Sequence, residues 1–208
     1  MSVFNYEIDQ HGIVTITMDM TGPVNAINDE YKHAMHETVD RLENEQALKG
    51  VIFASAKKVF FAGADLNDLI LAEADQSEAI YQNTVDMKTD MRRLEKLPVP
   101  VVAAINGAAL GGGYEICLAC NHRIAFNRPS VRIGFPECNL GLFPAAGGVV
   151  RLTNLIGVQG AMDIILQSKQ LTPEKALSAK LVDQLVDEMD QLIPAAKTWI
   201  MDNESDPN

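Results

Sequence analysis

The sequence predicts an α/β domain with substantially parallel strand pairing, and three observations carry that expectation. Short apolar or β-branched runs alternate with longer stretches of helical periodicity. Two of the runs, Gly50–Ser55 (GVIFAS) and Val101–Ile105 (VVAAI), are bounded by turn or charge and read as buried strands. Each is followed by a glycine-containing turn and then a helical pattern.

The elements follow in order. Residues 13–20 (IVTITMDM) alternate as a strand does and are expected to pair with residues 4–8, before Gly22 and Pro23 break the run. Residues 28–45 place Tyr31, Met35, Val39 and Leu42 at helical spacing. A second helix over 77–97 is ended by Pro98 and Pro100. Asn106 and Gly107 turn the chain after Val101–Ile105, and Gly111, Gly112 and Gly113 open a helix that carries Glu115. Residues 123–126 and 131–134 suggest short strands, and 149–156 and 161–167 suggest helices. Thr172-Pro173-Glu174 signals a helix start: hydroxyl cap, proline first, acid in the first turn. Residues 1–188 are expected to form the core domain. Residues 189–208 are expected to add a C-terminal helix and a polar, linker-like tail, 202–208 (DNESDPN), truncated from a longer chain.

A length of 208 residues fits one domain, and 47% hydrophobic with 22% charged residues is ordinary for a soluble globular protein. The net charge of −11 argues against nucleic-acid binding, which needs a basic surface. An anionic cofactor would have to find a local basic patch. The first residues show no secretory signal. The apolar stretch 99–120 is interrupted by Asn106, three glycines and Glu115, so no membrane span is expected there. Three cysteines, Cys117, Cys120 and Cys138, suggest free thiols in a reducing compartment, with cytoplasmic localisation the expectation.

Three constellations bear chemistry. Phe60-Phe61-Ala62-Gly63-Ala64-Asp65-Leu66 joins a strand to a helix through small residues, which let a ligand approach backbone N–H groups. On spacing alone the commoner reading is a tight turn. Residues 105–115 (INGAALGGGYE) repeat the arrangement, and two such loops can aim two N–H groups at one carbonyl oxygen. Neither GxGxxG nor a phosphate-loop GK[ST] is present. Third, Glu115 and Glu137 are acids in apolar settings, where burial raises carboxyl pKa values and a pair can manage the protons of one water. Each taken alone is equally well a satisfied structural acid. Cys117-x-x-Cys120 with His122 and Cys138 has superficial zinc spacing, but an apolar helix suits buried thiols better, and no metal is expected. His11, His33 and His36 have no nucleophile motif beside them. Lys57 and Lys58, with Arg92 and Arg93, suit either a solvated edge or phosphate partners.

Taken together, KKVFFAGADL, LPVPVVAAINGAALGGGYEICLACNHRIA and VRIGFPECNLGLFPAAGGVVRL resemble the crotonase (enoyl-CoA hydratase/isomerase) family over nearly the whole chain. The resemblance implies a crotonase-like (ClpP/crotonase) spiral of repeated ββα units, assembled as trimers or paired trimers. It implies an acyl-coenzyme A thioester substrate held between the amides of Ala64 and Gly112, with Glu115 and Glu137 as the catalytic acids. Coenzyme A contacts would fall to Ala26, Lys58, Ala62, Asp65 and Leu66, and no separate cofactor is implied.

Having both acids favours hydration of 2-enoyl-CoA in β-oxidation. The alternatives are a 3-enoyl-CoA to 2-enoyl-CoA isomerase using mainly Glu137, or a CoA-binding module of low activity. In place of the ALN-like turn of many single-domain members stands GPVNAI at 22–27, and the chain is shorter than the family's usual length. The first departure resembles the N-terminal part of multifunctional fatty-acid oxidation proteins, in which a 3-hydroxyacyl-CoA dehydrogenase follows; the second implies missing C-terminal helices that would cover the acyl site or contact a neighbouring subunit. The acyl-pocket helix is expected over 68–75.

Overall fold

A computed structural model describes residues 3–64, 70 and 73–204. Strands β1 (Phe4–Ile8) and β2 (Ile13–Met18) form an antiparallel hairpin, Phe4 opposite Met18 and Ile8 opposite Val14. Helix α1 (Asp29–Asn44) begins where the Asn28 side chain accepts the Tyr31 amide, with Asp29 and Glu30 in its first turn. Its apolar stripe buries Tyr31, Met35, Val39 and Leu42, which is the spacing the sequence displays. Strand β3 (Gly50–Ser55) then pairs parallel with β2.

A 3₁₀ turn (Ala74–Gln76) leads into α2 (Ser77–Glu95), followed by β4 (Val101–Ile105), β5 (Ala109–Leu110) and α3 (Gly112–Leu118). Next come β6 (His122–Phe126), β7 (Ile133–Gly134), a 3₁₀ turn (Glu137–Leu140) and α4 (Gly148–Leu166). Strand β8 (Gln170–Leu171), α5 (Pro173–Ser178), β9 (Gln184–Val186), the 3₁₀ turn Met189–Gln191 and α6 (Leu192–Asp202) complete the described chain.

The large sheet has the order β1-β2-β3-β4-β6-β9, parallel from β2 onward, and β5-β7-β8 form a small second sheet. After β3 the chain makes a bridge at Phe61 to Ala109; after β4 it adds β5, and after β6 it adds β7. Successive turns thus lay one strand in the large sheet and a short partner in or beside the small one. This is the spiral of strands that the resemblance implies.

Strand alternation sends Val14, Ile16, Phe53 and Ala103 into the main core, and Ile13, Ile52, Val102 and Ile124 into a second core on the other face. Helix α6 covers that second face with Leu192, Ala196 and Ile200, and its Lys197 pairs with Asp9 of the first hairpin at 2.6 Å. Trp199 of α6 stacks on His122, ring centroids 4.3 Å apart.

Several expectations need correction. Strand β2 stops at Met18, and the strand expected over 131–134 shrinks to two residues. The helices expected over 149–156 and 161–167 are both present as the two halves of α4, separated at Gly157, whose φ of 79° and ψ of 165° no helix allows. Thr172 occupies the cap position of α5, but its hydroxyl makes no capping bond. Pro173 presets the helical φ and removes one free donor, so the start holds without it. Of the helix expected over 68–75, residues 68, 69, 71 and 72 lie outside the described residues and its end falls in the 3₁₀ turn Ala74–Gln76; the tail from 205 onward also lies outside them.

Candidate active site

Two strand-to-helix turns meet on one side of the small sheet. The first, after β3, is fixed by Asn25, which is fully buried. Its Nδ2 donates to the Phe60 carbonyl at 3.1 Å and to Ser55 Oγ at 2.9 Å, while its Oδ1 accepts the Met20 amide at 3.1 Å. The Asn25 carbonyl in turn accepts the Ala62 amide, and the Ile27 amide donates to the Gly63 carbonyl. Gly63 has φ +100°, a left-handed conformation that a side chain would strain.

The second turn precedes α3. The Gly111 amide donates to the Gly134 carbonyl at 2.9 Å, and a Cβ on Gly111 would lie 2.9 Å from Glu137 Oε1. Gly112 opens the helix. Ala64 and Gly112 both line a cleft of about 370 Å³, and their amides donate to no protein acceptor among the described residues. Two such N–H groups beside one cavity can receive an oxyanion.

Glu115 and Glu137 line the same cleft. Glu115 is 2% exposed, and its Oε1 accepts the Gly148 amide at 2.7 Å. Burial pushes its pKa up, while the Gly148 and Ala146 backbone and the charges of Arg151 and Lys88 pull the other way. Burial lifts Glu137 to about 7; its own amide opposes that rise, and the Glu115 charge adds to it. Glu137 Oε2 is buried without a hydrogen-bond partner. Such an oxygen normally costs about 1–3 kcal/mol, so its place in a cleft points to a proton-handling group.

Ile27, Ile80, Met87, Leu142 and Phe143 give the cleft a largely apolar wall, with Asn28, Lys32, Asn83 and Thr84 also on it. None of these apolar side chains was singled out in the sequence, because an isolated apolar residue carries no signal of facing a cavity. Asn25 was missed as well, although an asparagine between Val24 and Ala26 is the kind of polar residue that must satisfy itself when buried.

Of the expected coenzyme A contacts, Ala62 lines the cleft. Ala26 is half-buried and Lys58 exposed, neither on the cleft wall, and Asp65 and Leu66 lie outside the described residues. Lys57, Arg92 and Arg93, for which a solvated edge and phosphate partners were both open, are held in ion pairs, which accords with the edge. Lys57 binds Asp19 at 2.6 Å, Arg92 binds Glu95 at 3.0 Å, and Arg93 is gripped by Asp40, Glu43 and Asp90. Cys117 and Cys120 turn their thiols back onto the Gly113 and Ile116 carbonyls. Helix α4 is long and apolar enough to cross a membrane, yet it buries Leu152, Ala161, Ile164 and Ile165 in the protein core.

Comparison with known proteins agrees with this geometry. The family model described as enoyl-CoA hydratase/isomerase matches residues 8–204. The fatty acid oxidation complex subunit alpha of Idiomarina loihiensis is 40% identical over 186 residues, covering 88% of this chain and 26% of that protein. Its counterpart from Shewanella halifaxensis is 40% identical over 189 residues, covering 89% and 26%. The chain therefore spans about a quarter of the length of these curated relatives. The crystal structure of an enoyl-CoA hydratase from Bacillus anthracis superposes with a TM-score of 0.87 at 30% identity, covering 96% of this chain and 76% of that one. With its spiral fold, its two glycine turns and its paired acids on one cleft, the chain belongs to the enoyl-CoA hydratase/isomerase family.

Proposed function

We propose that the chain reversibly adds water across the C2=C3 double bond of 2-enoyl-CoA thioesters in fatty-acid β-oxidation. One observation carries the reading: a gripped carboxyl group and a carboxyl group with an orphaned oxygen share one cleft with two available amides. In this scheme the Ala64 and Gly112 amides polarise the thioester carbonyl. Glu115 takes a proton from water as its oxygen bonds to C3. The double-bond electrons move onto the carbonyl oxygen, and the resulting enolate takes a proton from Glu137 at C2. Dehydration reverses the roles. The steps need only the thioester and water. Coenzyme A contacts remain assigned to Ala26, Lys58, Ala62, Asp65 and Leu66.

The test follows loss of crotonyl-CoA absorbance. Glu115→Gln and Glu137→Gln are each expected to lower hydration by about 10²–10⁴-fold. Full activity in either variant overturns the scheme. The near-neutral carboxyl of Glu137, with one oxygen unpartnered, also supports a second activity, isomerisation of 3-enoyl-CoA to 2-enoyl-CoA. That activity should survive Glu115→Gln.

The proposal extends to context. The names of the curated relatives support placing this chain as the hydratase part of a fatty acid oxidation α subunit; a 3-hydroxyacyl-CoA dehydrogenase following it in the full-length protein is part of the same proposal. Assembly as trimers or paired trimers is supported by apolar side chains left bare on α4, with Val150 64% and Val158 63% exposed. Sedimentation of the isolated chain tests it, and a monomer at micromolar concentration counts against it. Free thiols at Cys117, Cys120 and Cys138 support a reducing, cytoplasmic setting.

A further inference from the structure

Glu115 is held by a turn that is itself held from behind. Residues 146–148 lead into α4, and Gly147 and Gly148 each leave a side-chain space that another residue fills. At Gly148 the space is taken by Glu115, whose Cγ and Oε1 lie 2.8 Å from where a Cβ would stand. At Gly147, in left-handed conformation with φ +104°, the space is taken by Nη1 of Arg151. The same Nη1 donates to the Ala146 carbonyl at 2.8 Å, and the Arg151 amide donates to the Gly147 carbonyl at 3.0 Å. Arg151 Nε donates to Glu95 Oε1 at 2.6 Å, and Arg92 holds the other Glu95 oxygen at 3.0 Å. The pair is largely sheltered, with the Arg151 side chain 13% and that of Glu95 21% exposed.

We infer that Arg151, anchored on Glu95, is a positioning residue for Glu115: it clamps the 146–148 turn so that the Gly148 amide grips the carboxylate. This rests on the proposed hydratase chemistry, in which Glu115 is the base toward water. The geometry explains why two glycines stand side by side here: one admits the arginine and the next admits the glutamate. A lysine can supply the charge but not the fork that spans Ala146 and Glu95 together. The charged groups acting on Glu115 are Arg151 from α4 and Lys88 from α2, with Glu137 coupled to it across the cleft. Removing Arg151 therefore takes away both an orienting contact and a positive charge.

The test compares Arg151→Gln, Arg151→Lys and Glu95→Gln with the unaltered chain, using crotonyl-CoA turnover across pH and a carbon-13 NMR titration of the Glu115 carboxyl. In Arg151→Gln, kcat should fall by about tenfold or more, as loss of alignment does. KM should change little, and the acid limb of the rate profile should move to higher pH. Arg151→Lys should keep the limb near its original place while recovering only part of kcat. Glu95→Gln retains the arginine charge and should lower kcat with the limb unmoved; it carries the test if Arg151→Gln does not fold. An Arg151→Gln protein with the unaltered limb, and a rate reduced only by its unfolded fraction, overturns the inference. Should the unaltered chain fail to hydrate crotonyl-CoA, the functional reading falls alone. The inference then stands or falls on whether Arg151→Gln raises the NMR midpoint of Glu115.

Discussion

Glu115 and Glu137 line one cleft with opposite hydrogen-bond status: the Gly148 amide fixes Glu115 Oε1 at 2.7 Å, whereas Glu137 Oε2 is buried with no partner. A carboxylate that already accepts an N–H is stabilised in its charged form and suits a base. One whose burial outweighs the single amide near it, with an oxygen left unpartnered, is stabilised in its protonated form and suits an acid. The division of labour proposed for the two residues therefore follows from what surrounds them, although both are glutamates.

The first consequence is a pH profile. With Glu137 lifted to about 7 by burial, hydration should decline as pH rises through that value and the donor loses its proton. A kcat/KM profile for crotonyl-CoA between about pH 5 and 9 should show this alkaline limb, and Glu137→Gln should abolish it along with most of the rate. A limb that persists unchanged in Glu137→Gln assigns it to another group.

Stability should respond with a definite sign. The folded pKa of Glu137 lies above its ordinary 4.5, so the native state favours the protonated form. That contribution is fully present below about 4.5 and is lost as pH rises through about 7. Glu137→Gln removes the dependence and should gain relative to the unaltered chain above neutrality. Allowing for water reaching this half-buried group, the gain should be about 1–2 kcal/mol. Urea unfolding at pH 5 and pH 8 measures it.

Gly148→Ala should damage stability and catalysis together. Its methyl group would stand 2.8 Å from both Glu115 Oε1 and Phe135 Cζ, and Phe135 is buried with no room to retreat. Overpacking of this kind costs about 1–3 kcal/mol. Residual folded protein should hydrate crotonyl-CoA far more slowly, because the carboxylate must leave its amide. Wild-type turnover in this variant would show that Glu115 does not need that grip.

Tyr114 gives a contrasting case. Its buried hydroxyl donates to the Leu181 carbonyl at 2.7 Å, tying the helix of Glu115 to the segment that leads into β9. Tyr114→Phe leaves that carbonyl unpaired and should cost about 1–3 kcal/mol. The aromatic contact with Phe135, ring centroids 5.4 Å apart, is retained. Melting temperature should drop while kcat per folded molecule stays near normal.

What could be read from the sequence was local. Helix α1 was expected over 28–45 and spans 29–44, because its cap at Asn28 and its apolar stripe both lie within a few turns. Glu115 stood out because an acid among apolar neighbours needs a reason. The partners that define its role were hidden by distance: Gly148 is 33 residues away, and Glu95 lies 56 residues from Arg151. The partners of the basic residues were hidden for the same cause. Nothing near Lys57 in the sequence reveals that Asp19 waits beside it, and Arg93 meets Asp40 and Glu43 only when α1 and α2 pack together. Side-chain periodicity specifies faces; it does not specify which charge will meet which.

The late arrival of α6 has a consequence during synthesis. Its Lys197 reaches back 188 residues to Asp9, and its apolar side chains cover Ile13, Ile52, Val102 and Ile124. Until the ribosome has released residues 192–202, a nascent chain with its strands assembled shows that greasy surface to water, for several seconds at ordinary elongation rates of roughly 5–20 residues per second.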